Sequence, residues 1–321
     1  MTEHKHVKHQ PAITAGISNM IRVKNAHLRY YFETPLYYEA GRGIGFEVYK
    51  PPYVTINEVR IKHDRLPDTL YIHVKDKITS LKELQSGLNE QLENDLHSEN
   101  PVKVKTTLIN LVEETIKEPN ISNLEGAVNT MEILFSEYLR NRSVIDKLVN
   151  VISKDYTTAM HSVNVMVLTL RFGFFCKYEE METKRLGLAA LLHDVGKIKI
   201  SNRLLKASRR LTDEEFMMMK KHTVFGYEIL KESNLPEDIC LCALNHHERA
   251  DGSGYPNGIK DISHEAEVIA FVDCYEALTC NERPYRNAVS PYSALSHIKN
   301  ELFRGNFNNK IYEHFVRSLG G

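Results

Sequence analysis

A chain of 321 residues has room for two ordinary domains, and a 42% hydrophobic share is ample for packed cores. Its 41 basic and 42 acidic side chains cancel to a formal net charge of −1, which removes any global electrostatic case for a nucleic-acid polymer or a membrane surface. An anionic ligand must then be held by a local cluster, and five cysteines without zinc-ribbon spacing read as reduced thiols of a cytoplasmic protein.

The first residues, "MTEHKHVKHQPAITAG", lack the apolar core of a signal peptide; His4, His6 and His9 read as part of a frayed tail, although such a trio could catch a metal. No later stretch reads as the roughly 20 apolar residues that span a bilayer. The expectation is a soluble cytoplasmic protein. "GIGFEVYKPPYVTI" and "TLYIHVK" are rich in β-branched and aromatic residues, as short strands are. "ITSLKELQSGLNEQLENDL" sets Leu81, Leu84, Leu88 and Leu92 at helical spacing. Residues 1–100 are therefore expected to form a small α+β regulatory or interaction domain. Residues 101–145 read as connecting amphipathic helices, long enough to suit a homodimer, and residues 146–321 as helix throughout. The fold class is mostly α, with an all-helical C-terminal bundle and a smaller N-terminal α+β domain.

Four helix signals matter for chemistry. "MHSVNVMVLTLRF" is apolar with one embedded histidine, and "KRLGLAALLHDVGKI" reads as a nearly continuous helix ending at a glycine. "LTDEEFMMMKKHTVFGYEIL" opens with Thr212 three residues before Glu215, the spacing of a capping box; its Met217–Met219 run reads as core plus an adaptable contact surface. "LPEDICLCALNHHE" has Pro236 near its start, where a missing N–H costs nothing. These segments and "AEVIAFVDCYEALT" carry His161, His193, Asp194, His222, His246, His247 and Asp273, each in a burial-prone place. One such residue is a capped or salt-bridged side chain; seven are a metal centre on a bundle scaffold. Imidazole and carboxylate ligands without cysteine suit Fe, Mn, Zn, Ni or Co. Two such ions about 3.5–4 Å apart activate water and steady displacement at phosphorus. Adjacent residues on a helix point about 100° apart, so His246 and His247 cannot easily close on one ion from one face. Lys197, at i+3 from Asp194, would point at the bound anion. Lys206, Arg209 and Arg210 in "LKASRRL" could guide an anionic nucleotide inward, but a solvated turn is the simpler reading.

"HDVGKI", "KKHTVFGYEIL", "HHERADGSGYP", "FVDCYEALT" and "ERPYR" stand in that order between about Lys154 and Phe315. In this the chain resembles the HD-GYP family, a branch of the HD phosphohydrolases. The resemblance implies an all-helical HD-type domain and a metal-dependent phosphodiesterase that hydrolyses cyclic di-GMP to pGpG, and in some members on to GMP, at an iron or manganese centre. It implies His161, His193, Asp194 and Asp273 as the shared ligands, with Asp194 bridging, and His222, His246 and His247 as ligands of the second position. It also implies Lys197 at the scissile phosphate and Arg283 and Arg286 on phosphate oxygens. Members with three metals carry a Glu one turn before the first histidine; Thr157 stands there, so two divalent ions, Fe or Mn, are expected. The Gly254–Pro256 loop would shape the pocket mouth or dock partner proteins. The alternative is a non-catalytic receptor for the nucleotide or a protein-docking module. An HD phosphohydrolase for another nucleotide is disfavoured by the Gly-Tyr-Pro block.

Overall fold

The computed structural model describes residues 19–41, 45–62, 66–98, 100–151, 157–280 and 288–320. The chain divides into two compact units, Met1–Leu88 and Asn89–Gly321.

The first unit is built on four short strands, β1 (Met20–Arg22), β2 (Leu36–Glu39), β3 (Phe46–Lys50) and β4 (Tyr71–His73), and helix α1 (Ile56–Lys62). They form one antiparallel sheet in the order β1-β4-β2-β3, with Ile21 opposite Ile72 and Tyr37 opposite Tyr71. Leu36, Tyr37, Phe46, Tyr49 and Ile72 are buried apolar side chains of this sheet, with Leu70 buried just before β4. Lys50 is buried with them because its ammonium donates to the carbonyls of Phe32, Pro51 and Val54 at 3.0, 3.1 and 3.0 Å, matching three donors to three acceptors. Helix α2 (Lys77–His97) runs across the boundary, with Leu84, Leu88 and Leu92 buried at the expected spacing.

Helices make up the second unit among its described residues: α3 (Pro101–Lys117), α4 (Ile121–Arg140), α5 (Ser143–Val149), α6 (Thr158–Cys176), α7 (Glu180–Leu192), α8 (Asn202–Leu205), α9 (Asp213–Lys220), α10 (His222–Glu232), α11 (Glu237–Asn245), α12 (His264–Thr279), α13 (Pro291–Phe303) and α14 (Asn309–Leu319). The mostly-α class holds. Helix α6 packs against α3, α5, α7, α12 and α14. It is apolar on nearly every face because nearly every face is covered. By length and composition its 19 residues suffice to cross a membrane, which the sequence reading had denied to every segment, but most of them are buried inside the unit.

Two helix boundaries differ from the periodicity. The helix read through "HDVGKI" stops at Leu192, His193 is its C-cap, and Val195–Lys199 continues as a 3₁₀ turn. Gly196 lets that turn lie against α10, since a Cβ there would stand 2.0 Å from the His222 carbonyl oxygen and 2.4 Å from the Gly226 nitrogen. The helix read from Leu211 to Leu230 breaks into α9 and α10 at Lys221, whose N–H bonds to the Met218 carbonyl only three residues back. The capping box of Thr212 and Glu215 forms as expected. Met217 and Met218 are exposed rather than core.

Candidate metal centre

Five segments of the second unit bring the centre together. The second turn of α6 supplies His161, and the C-cap of α7 supplies His193 with Asp194 beside it. His222 opens α10, His246 caps α11 with His247 following, and Asp273 lies in the third turn of α12. His161, His193, Asp194, His222 and His246 are almost wholly buried, and His247 and Asp273 reach the edge of a cavity.

Asp194 is the hub. Its Oδ2 lies 3.3 Å from His193 Nε2 and 3.5 Å from His161 Nε2; its Oδ1 lies 3.4 Å from His222 Nε2 and 3.9 Å from His246 Nε2. Asp273 joins the first side, with Oδ1 3.0 Å from His161 Nε2, and its Oδ2 faces His247 Nδ1 at 4.0 Å. Ligand atoms group as His161, His193 and Asp273, as His222, His246 and His247, and as His193, Asp194 and His246, each within 4.8 Å. The carboxylate of Asp194 therefore has one oxygen toward each histidine set.

The protons on these rings are fixed from behind. Nδ1–H of His193 donates to the Ala190 carbonyl at 2.7 Å, that of His222 to Met219 at 2.7 Å and that of His246 to Ala243 at 2.9 Å. A carbonyl can only accept, so each neutral ring keeps its lone pair on Nε2, aimed at the centre. Burial lowers the pKa of His222 to about 4, the pull of Asp194 notwithstanding. Burial and neighbouring histidines hold His246 and His247 well below the usual range. Burial would raise Asp194 and Asp273, but Lys197 and His193 for the first, and His161 for the second, outweigh it and keep both ionised. His161 is the exception among the rings: burial would lower it, yet Glu276 and Asp273 raise it to about 9.

This donor set fits divalent cations. His222 Nε2 and His246 Nε2 face each other at 3.3 Å with two lone pairs, an arrangement that repels until a cation lies between them. His193 Nε2 and Asp194 Oδ1 are buried without a hydrogen-bond partner, which is costly for groups of that polarity. The excess negative charge that raises His161 likewise suits a metal in place of a proton.

The centre forms the floor of a cavity of about 910 Å³. Lys197 lines it, with Nζ 2.5 Å from Asp194 Oδ2. Arg283 and Arg286 lie outside the described residues. The Gly-Tyr-Pro loop folds back on the histidine pair: Tyr255 N–H donates to the His247 carbonyl at 3.1 Å, and the Tyr255 ring lies 4.6 Å from the His247 ring. Gly254 permits this approach, since a Cβ there would meet the Glu248 Cα at 2.4 Å. Glu248 is buried, and its Oε1 accepts the N–H groups of Asn257 and Gly258 at 2.7 and 3.1 Å, so it ties the loop rather than orienting an imidazole. Tyr255 also lines the cavity.

Sequence reading missed Glu276. Its Oε2 lies 2.5 Å from His161 Nδ1, and its Oε1 accepts from Asn164 at 2.8 Å. It stands three residues after Asp273 on the same helix, hence on the same face, and that spacing is the signal that could have found it. Lys105 of α3 supplies positive charge toward Glu276; burial nevertheless lowers its own pKa to about 8. Thr157 is the N-cap of α6, its hydroxyl oxygen accepting the Met160 N–H at 3.1 Å.

Residues 148–305 match the HD domain family. The chain is 32% identical over 200 residues to a cyclic di-GMP phosphodiesterase of Pseudomonas aeruginosa, covering 60% of this chain and 47% of that protein. It is 38% identical over 164 residues to a cyclic di-GMP phosphodiesterase of Thermotoga maritima, covering 49% and 44%. It is 29% identical over 179 residues to a 3'3'-cGAMP-specific phosphodiesterase of Vibrio cholerae, covering 55% and 41%. The chain thus spans less than half the length of these curated relatives. Among solved structures, Bd1817, an HDG"Y"P protein from Bdellovibrio bacteriovorus, superposes with a TM-score of 0.64 at 18% identity over 94% of this chain and 100% of that one, a likeness of fold. With the HD dipeptide on the hub and the Gly-Tyr-Pro loop over the histidine pair, residues 148–305 carry the match to the HD domain family and resemble its HD-GYP branch.

Proposed function

We propose that this protein is a metal-dependent phosphodiesterase that opens cyclic di-GMP to linear pGpG. The observation that carries the reading is Asp194, whose two oxygens each face a separate histidine set at the floor of the cavity. The names of the relatives bring it to cyclic di-GMP. His161, His193, Asp194 and Asp273 would hold one divalent ion and His222, His246 and His247, with Asp194 shared, a second, and iron or manganese would suit both positions. Ions bound there supply positive charge to the phosphate and lower the pKa of water toward about 7. The chain does the positioning. Backbone carbonyls behind His193, His222 and His246 fix which ring nitrogen faces the centre, and Glu276 does the same for His161. Lys197 holds a fixed cation beside the hub, where a scissile phosphate oxygen meets it. The hydroxyl of Thr157 is engaged in capping α6, which supports two ions and not three. Arg283 and Arg286 are proposed as phosphate contacts on the family motif alone. Residues 1–100 are proposed as a regulatory or interaction domain, and the second unit as a homodimer candidate.

The test is to load the protein with Mn or Fe without oxygen, add cyclic di-GMP, and resolve pGpG from GMP, with 3'3'-cGAMP as the competing substrate. Turnover of cyclic di-GMP to pGpG is expected, with two metal equivalents per chain. Tight nucleotide binding with no product under any metal would instead establish the receptor reading; preferred cleavage of 3'3'-cGAMP would move the substrate assignment.

A further inference from the structure

The loop between α8 and α9 carries three cations, and the structure treats them differently. The guanidinium of Arg209 is locked: its Nη1 and Nη2 donate to Glu215 Oε2 and Oε1, both at 2.6 Å, and Nη1 also reaches the Arg210 carbonyl at 3.0 Å. Glu215 in turn holds the Thr212 N–H at 3.0 Å, and Thr212 holds that of Glu215 at 3.2 Å. Arg209 is thus a strut that fixes the loop backbone to the first turn of α9. The side chains of Lys206 and Arg210 make no hydrogen bond or ion pair among the described residues. Both nevertheless line the cavity whose floor is the metal centre. The same cavity is also lined by the apolar side chains of Leu204, Leu205, Leu211 and Phe216. Phe216 meets Tyr255 edge to face, with ring centroids 6.0 Å apart. Asp213 is the carboxylate on this wall.

A simple solvated turn has no reason to be braced by a bidentate ion pair and a capping box while two neighbouring cations stay unpaired over a cavity. About 910 Å³ is at the upper end of small-molecule sites and far exceeds one phosphodiester group. The metal centre and Lys197 already account for one phosphate. A ligand that fills the rest needs flat or apolar bodies against the leucines and a second anion near Arg210 and Lys206. Cyclic dinucleotides have that layout, two phosphates flanked by two bases. Resting on the functional reading above, we propose that Arg210 and Lys206 form a second anion subsite that holds the phosphate left uncut. A guanidinium suits this through paired donors, and an ammonium through its point charge. The subsite selects ligands with two phosphates over ligands with one; it does not choose between guanine and adenine.

The test uses the full metal-loaded chain and the variants Arg210→Gln and Lys206→Gln. Calorimetry measures the Kd of a phosphorothioate analogue of cyclic di-GMP, and competition measures the Ki of GMP. Each variant is expected to weaken the dinucleotide about tenfold, the worth of one charge-assisted hydrogen bond, and GMP by less than about threefold. The KM for cyclic di-GMP should follow the Kd, with kcat within about twofold. Equal weakening of both ligands would overturn the proposal, because the residues would then serve the metal-end phosphate or the loop fold. No weakening of either would return them to a solvated turn. A wild-type protein that binds the analogue but never cleaves cyclic di-GMP would sink the enzymatic reading alone and leave the comparison of variants decisive for the subsite.

Discussion

The carboxylate of Asp194 faces both histidine sets, so its charge and not its bulk should be what the centre needs. Asp194→Asn keeps the shape and removes the charge. Turnover should fall by about a thousandfold or more, with metal content lost and the far-ultraviolet dichroism unchanged; an Asn variant that keeps both metal and turnover would take Asp194 out of the mechanism. Glu276 acts one step further back. Glu276→Gln leaves the helix intact but takes the negative charge from His161 Nδ1. Metal affinity should fall about 10- to 100-fold, read by competition with a chromophoric chelator, and excess metal should restore most of kcat. A Gln variant with wild-type affinity would show that Glu276 only packs. At this scale the ligand residues were legible, because seven histidines and aspartates in burial-prone runs are hard to explain otherwise. Glu276 was not, since a single acid in a helix ordinarily faces water, and only the fold brings it under His161. Lys206 and Arg210 were seen but under-read, because sequence does not tell a braced loop from a loose one.

Between residues and fold, the elements set the angles. The 3₁₀ turn Val195–Lys199 presses on the first turns of α10, and this contact sets His193 and Asp194 against His222. Gly196→Ala would drive a Cβ into backbone atoms of α10 that cannot rotate away. The expected cost is about 3 kcal/mol in denaturant unfolding, with a matching loss of metal affinity. A stable variant that retains its metals would mean that the turn can lift without disturbing the hub. Helix existence was readable throughout this region, while helix ends were not. Lys220–Thr223 are polar but include no Gly or Pro, so nothing in the sequence marks the turn there. The motif "HDVGK" likewise hides a change from α to 3₁₀ geometry, because the driving contact is with a helix some 30 residues later. Strands β1 and β2 escaped notice for a related reason. They are three and four residues long, too short for an alternation to show, and β1 pairs with β4 about 50 residues away.

Across the whole molecule, the charges and lone pairs of the centre lie in one unit, Asn89–Gly321, and they are poorly satisfied by protein groups alone. Without cations, folding must bury facing imidazole lone pairs and a carboxylate oxygen that has no donor. Cations relieve both, and they bind the folded arrangement far better than an unfolded chain that cannot assemble five separate segments. Metal should therefore act as a folding ligand. At a free metal concentration of 100 times Kd, one site contributes about 2.7 kcal/mol. For a unit of this size each kcal/mol moves the midpoint by about 2–4 °C, so loading should raise it by about 5–10 °C for the first ion, and chelation should reverse the rise. The chain also carries His4, His6 and His9, outside the described residues, which could bind metal without any bearing on the fold. Calorimetry on two variants separates the sources. The rise should disappear in Asp194→Ala, which removes the hub, and persist when His4, His6 and His9 are all replaced by alanine. A rise that survives loss of Asp194 but not loss of the three histidines would place the stabilising metal outside the candidate centre, and the case for a built dimetal site in this unit would fail with it.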